Sequence, residues 1–233
     1  MTINITIQSH VPVVIGITIA LLALMFVANR KLVKADPLAK PEGLVLLCLM
    51  VVEMIDDMVE DIVSPKYVEH MGPYIGSIAL YILTANYVGL LGLDNPTRNF
   101  SCTLALAFCS WVLIQYADIT SSGLKNYIHG FFEPIAPFVI PNIFSTLSPM
   151  VSMSLRLFGN ILSGSIIMSL VYSFTGFLTK AILPFAEGLD IFGPILAPAL
   201  HAYFDIFSGA IQMYIFIMLT MVFTGVKIPD EAK

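Results

Sequence analysis

The sequence predicts an all-α membrane protein with about five transmembrane helices and one amphipathic helix at the cytoplasmic surface. Its last two spans are expected to be long and strongly tilted. Three observations lead there. Of 233 residues, 58% are apolar and only 12% charged, with mean hydropathy +0.88, whereas a soluble domain carries about 25% charged residues. Charge-free runs cover Val11–Asn29, Met71–Leu93, Asn99–Ala117, Pro134–Leu155, Leu157–Thr179 and Ile206–Val226, each 19 to 23 residues long. A hydrocarbon core about 30 Å thick takes roughly 20 helical residues. Finally, Lys and Arg sort to one side: alternating spans put eight of eleven basic residues inside, Arg98 and Lys180 outside, and leave Arg156 unassigned. That bias sets the N-terminus outside and the C-terminus in the cytoplasm.

Residues 1–40 read as a first span and a basic turn made by Arg30, Lys31, Lys34 and Lys40. No basic residue precedes the apolar run, so it is expected to be a retained span rather than a cleaved leader. Between Pro41 and Pro65, Glu53, Asp56, Asp57 and Glu60 recur at i, i+3, i+4 and i+7. They share one helix face, opposite Leu49, Val51, Val52, Ile55, Val59 and Ile62, which predicts a surface helix over 41–65. Because the polar face is acidic, packing on protein is as open as lipid contact. Residues 71–117 form a transmembrane hairpin. In the loop region 118–148, Pro134, Pro137 and Pro141 precede Pro149 and predict irregular backbone. Ser148-Pro149 then reads as an N-cap and N1 pair, opening a long helix pair over 149–226. Residues 227–233 are a cytoplasmic tail.

No proline falls between Pro149 and Leu178, and thirty helical residues are roughly 45 Å long. Such a helix must tilt, kink or bend around a neighbour. Polar residues run along it as a stripe: Ser152, Arg156, Asn160, Ser163. A second stripe, His201, Asp205, Ser208 and Gln212, lies on the last span. Serine and asparagine stripes are equally the glue between helices. Arg156 is different. It has 22 uncharged residues before it and 23 after, and a mid-membrane charge costs about 2.5–3.5 kcal/mol or more. It needs a carboxylate or water, either Asp205 within the chain or a carboxylate on another subunit; spacing leaves both open. Net charge of −5 removes the electrostatic footprint of a nucleic-acid binder. Cys48, Cys102 and Cys109 sit in apolar runs and read as small buried hydrophobes rather than a disulfide or metal set.

The stretch Ser154-Leu155-Arg156-Leu157-Phe158-Gly159-Asn160, followed by Gln212-Met213-Tyr214-Ile215-Phe216-Ile217-Met218-Leu219-Thr220, resembles subunit a of F-type ATP synthases. Thr84-Ala85-Asn86-Tyr87-Val88-Gly89-Leu90 and Asn95-Pro96-Thr97 with Thr103-Leu104-Ala105-Leu106-Ala107 resemble further motifs of that family. The resemblance spans roughly residues 40 to 226. It implies the static half of a rotary ion motor, in which the long helix pair wraps a c-ring of proteolipid subunits. Peripheral-stalk b subunits, the rest of the ATP synthase and membrane lipid are the implied partners, with no cofactor and no nucleotide chemistry in this chain.

Under that resemblance Arg156 matches the essential stator arginine, always charged, which attracts the ionised carboxylate of each arriving c subunit and blocks a straight leak. Two offset half-channels then couple ion flow, a proton by our reading, to rotation. Many family members carry a Glu nine residues after the arginine, paired with a His on the last helix. Here those positions are Ser165 and Asp205. The ion pathway is therefore expected to run through Asp205, with Ser165 and His201 as hydrogen-bonding neighbours and Asn86, Asn160 and Gln212 along it. Packing glue remains open for the amides, and an interfacial role for His201. Glu133 and Asp118 are loop acids that could line the inner exit. A stand-alone transporter using Arg156 to bind an anion is the alternative. An intramembrane metalloprotease lacks the paired His-Glu motif that His201 and Asp205 would need.

Overall fold

A computed structural model describes residues 10–34, 40–133, 135–182 and 190–228. Pro134, Lys233 and most of the expected tail lie outside the described residues. Among the described residues there are eight α-helices and no strand: α1 (His10–Lys34), α2 (Leu44–Ile62), α3 (Val68–Tyr87), α4 (Phe100–Ser122), α5 (Leu124–Gly130), α6 (Val139–Ile182), α7 (Gly193–His201) and α8 (Ser208–Lys227). Five helical stretches are long and apolar enough to cross a membrane: Val11–Lys34, Pro65–Leu91, Phe100–Ser122, Val139–Ile182 and Gly193–Lys227. The protein is an all-α membrane protein, as the charge-free runs require.

The core is built where α3, α4, α6 and α8 meet. Ile75, Ile82, Ile114, Met153, Leu157 and Met221 are buried there, and Val59 of α2 joins the same cluster. The two faces expected of α2 are only partly realised. Ile55 and Val59 are buried, whereas Leu49 and Val52 are exposed. From Val51 onward α2 packs on this core; Gly225 of α8 lies so close that a Cβ there would stand 2.5 Å from the Ile62 carbonyl oxygen.

The largest departure from the sequence reading is α6. Irregular backbone was expected through Pro141 to Pro149, with a helix start at Ser148-Pro149. Instead one helix of 44 residues begins at Val139 and runs through both prolines, about 66 Å of axis. The physical reasons are local and tertiary. Pro141 falls in the first turn, where a missing N–H costs nothing because that donor has no partner in the helix. Pro149 does remove a bond to the Ser145 carbonyl. α6 also packs on α4 at this turn, where the Trp111 indole N–H donates to the neighbouring Thr146 carbonyl at 2.7 Å.

The last span also departs from a plain helix. It opens at Gly193, with Pro194 in its first turn, and Ala202–Phe207 form a π-helical turn between α7 and α8. Single π turns inside membrane-type helices occur often at functional sites. Asp205 sits within this one.

Candidate functional site

Side chains on α6 are aimed by what α6 buries. Met153, Ser154 and Leu157 face α4 and α8 and are almost fully buried. With 3.6 residues per turn, Arg156 then turns outward. It is exposed and makes no ion pair or hydrogen bond with any described residue. The internal Arg156–Asp205 pair left open by spacing is absent among the described residues. Asp205 is engaged elsewhere.

Beyond Arg156, α6, α7, the π turn and the 88–98 segment enclose a cavity of about 670 Å³. Asn160, Ser165, His201 and Asp205 all line it, together with Asp94, Arg98 and Tyr172. His201 Nδ1 lies 2.5 Å from Asp205 Oδ2, and its Nε2 lies 3.0 Å from the Tyr172 hydroxyl. The two expected polar stripes do face one another, since Ser208 Oγ donates to Asn160 Oδ1 at 2.8 Å. The Asn160 side-chain Nδ2 is buried without a hydrogen-bond partner among the described residues. Ser165 points its hydroxyl back to the Leu162 carbonyl.

Asp190 anchors the start of α7 and so positions His201 two turns on. Its carboxylate accepts from Thr175 Oγ1 at 2.7 Å, Thr179 Oγ1 at 3.4 Å and the Gly193 N–H at 2.8 Å. The Thr175 hydroxyl first, then the Gly193 amide, hold this carboxyl below the usual carboxylate range.

A second polar cavity, about 280 Å³, lies where α4, α5, α8 and the first turns of α6 meet, and Asp118, Tyr127, Asn142, Thr146 and Lys227 line it. Lys227 Nζ is 3.1 Å from Asp118 Oδ2. Burial, and then the Asp118 charge, push the Tyr127 phenol above its ordinary value. Glu133 pairs with His129 at 3.0 Å, and Asn142 Nδ2 donates to the Glu133 carbonyl, also at 3.0 Å.

Two expected pathway residues line neither cavity. Asn86 is buried and satisfied: Nδ2 donates to the Gly209 carbonyl at 3.1 Å, and Oδ1 accepts from Thr97 Oγ1 at 3.0 Å. Gln212 is half-buried on α8.

The family model for the ATP synthase A chain matches residues 11–225. This chain belongs to that family. Among curated relatives, the ATP synthase subunit a of Mycoplasma pneumoniae is 36% identical over 219 residues, covering 87% of this chain and 73% of the relative. That of Staphylococcus aureus strain JH9 is 34% identical over 197 residues, 77% of each chain. A sodium-ion-specific ATP synthase subunit a from Propionigenium modestum is 33% identical over 175 residues, 67% of this chain and 54% of the relative.

Sequence reasoning missed Tyr172, Asp94, Asp190 and the cavity role of Arg98. Tyr172 had a signal: from Arg156, steps of four reach Asn160, Gly164, Met168 and Tyr172, one row along α6. The others had none, because turns outside the long helices bring them in.

Proposed function

We propose that this chain is the ion-conducting stator of an ATP synthase, passing ions, protons by our reading, through two offset half-channels against a c-ring. One observation carries the proposal: Arg156 stands on α6 between two polar cavities and lines neither. Along the axis it is about 15 Å from Thr146 and about 6 Å from Asn160. A straight water path from one cavity to the other would have to pass a fixed positive charge.

The chemistry follows from that placement. An ion enters the Asp205 cavity from outside and is taken up by Asp205, then delivered to a carboxylate of the ring. The neutralised ring site moves away into lipid. A protonated site arriving on the inner side gives up its proton toward the Asp118–Lys227 cavity, and the carboxylate left behind is stabilised by the exposed guanidinium of Arg156 until the next proton reaches it from Asp205. The membrane potential drives this with about 2.3 kcal/mol per charge per 100 mV. Placement of basic residues supports the orientation, since Lys66, Lys125 and Lys227 belong to the end where α3 begins and α4 and α8 finish.

Arg156→Lys in the reconstituted ATP synthase tests the reading. A lysine keeps the charge but not the planar, permanently charged fork. ATP-driven pumping is expected to be lost while the complex still assembles; near-normal pumping would overturn the stator role.

A further inference from the structure

Both imidazole nitrogens of His201 have a partner, and with Asp205 ionised those partners assign its hydrogen. Asp205 Oδ2, 2.5 Å from Nδ1, is an acceptor when ionised, so Nδ1 carries the hydrogen. In the neutral ring Nε2 is then bare and accepts from the Tyr172 O–H at 3.0 Å. The donors run in one direction: Tyr172 to His201, His201 to Asp205.

We infer that Tyr172 is a positioning residue for ion uptake, its hydroxyl holding His201 in the tautomer that donates to Asp205. The inference rests on the proposed role of Asp205. The consequence is asymmetric use of one carboxylate. Oδ2 is committed to the imidazole, which keeps Asp205 aimed into the cavity. Oδ1 has no partner among the described residues and stays available for the incoming proton. The second ring nitrogen orients the first, as an outer partner orients a metal-bound histidine.

Three features make this more than a surface contact. His201 and Asp205 lie four residues apart on the last span and Tyr172 comes from α6, so the packing of two spans, not one helix face alone, assembles the three. All three line the same cavity, where the other charged side chains are Asp94 and Arg98. Neither of those two forms an ion pair with His201 or Asp205. Asp190 pins α7 from its other end, which leaves Tyr172 to set the ring.

The test uses the reconstituted ATP synthase with Tyr172→Phe, which keeps the aromatic ring beside His201 and removes only the hydroxyl. ATP-driven proton pumping should slow by roughly 2- to 10-fold, the range expected for one net hydrogen bond, with assembly and unfolding midpoint unchanged. In a His201→Ala background the same change should do nothing, because the partner is gone. Imidazole ¹⁵N spectra should put the hydrogen of His201 on Nδ1 in the parent and redistribute it toward Nε2 in Tyr172→Phe. Parental pumping in Tyr172→Phe, equal slowing in the His201→Ala background, or an Nε2–H tautomer in the parent would each overturn the inference. Asp205→Asn is the separating control. If it slows pumping and Tyr172→Phe does not, only the positioning role fails; if it pumps like the parent, the uptake reading fails with it.

Discussion

Asn86→Ala separates packing from conduction. Asn86 is 1% exposed. Its amide ties three elements together, bonding α8 through the Gly209 carbonyl at 3.1 Å and the 96–98 turn through Thr97 at 3.0 Å. Alanine removes both bonds; the Thr97 hydroxyl keeps a second partner, Asn95 Oδ1 at 3.2 Å. Hydrogen bonds between membrane helices average about 0.6 kcal/mol and reach about 1.7. Two of them, with the small void left by the amide, make a loss of about 1–3 kcal/mol. A denaturant titration of the protein in mixed micelles should show a lower midpoint at unchanged slope. Pumping per assembled complex should stay within about twofold of the parent, since Asn86 lines neither cavity. An unmoved midpoint with collapsed pumping would refute the packing role and return Asn86 to the ion path.

Other predictions concern how the helices are held. Gly225→Ala places a Cβ 2.5 Å from the backbone oxygen of Ile62, which cannot retreat without moving α2. It should destabilise by about 1–3 kcal/mol in the same titration, and an unchanged midpoint would show that α2 does not bear on α8. Asp190 carries a pH signature. Its folded-state pKa is lowered, so its contribution is present above the ordinary carboxylate range and lost as pH falls through the folded value. Amide exchange at Gly193 should therefore lose protection on the acid side in the parent, and Asp190→Asn should flatten that dependence. A parent profile that rises toward low pH would contradict the sign.

How much was legible depended on range. The five spans could be read because a bilayer makes a residue-by-residue demand, and runs such as Met71–Leu93 answer it alone. Arg156 was legible for the same reason, a charge where charge is costly. The two polar stripes that carry Asn160 and Ser208 were legible from four- and three-residue steps, but their contact was not. The start of α6 was not legible. Local signals at Ser148-Pro149 favoured a new helix, whereas the helix runs on through them and packs on α4, where the indole of Trp111, 35 residues earlier, donates to Thr146. The partners of Asn86, the Gly209 carbonyl and Thr97, were not legible for a related reason: they lie on other elements, and a polar residue in an apolar run shows only that it needs partners.

By itself, the sequence determined the solvent, the number of spans, the family and the arginine, because each depends on composition or on spacing within one segment. Tertiary structure alone decided which polar groups line a cavity, that Arg156 stands between two of them, and that Tyr172 completes a chain through His201 to Asp205. Those relations join α6 to α7 and the π turn, and helix periodicity says which residues share a face but not which faces meet. Contact across elements is set by how buried surfaces such as Met153, Leu157 and Met221 interlock, and that information is spread over the whole chain.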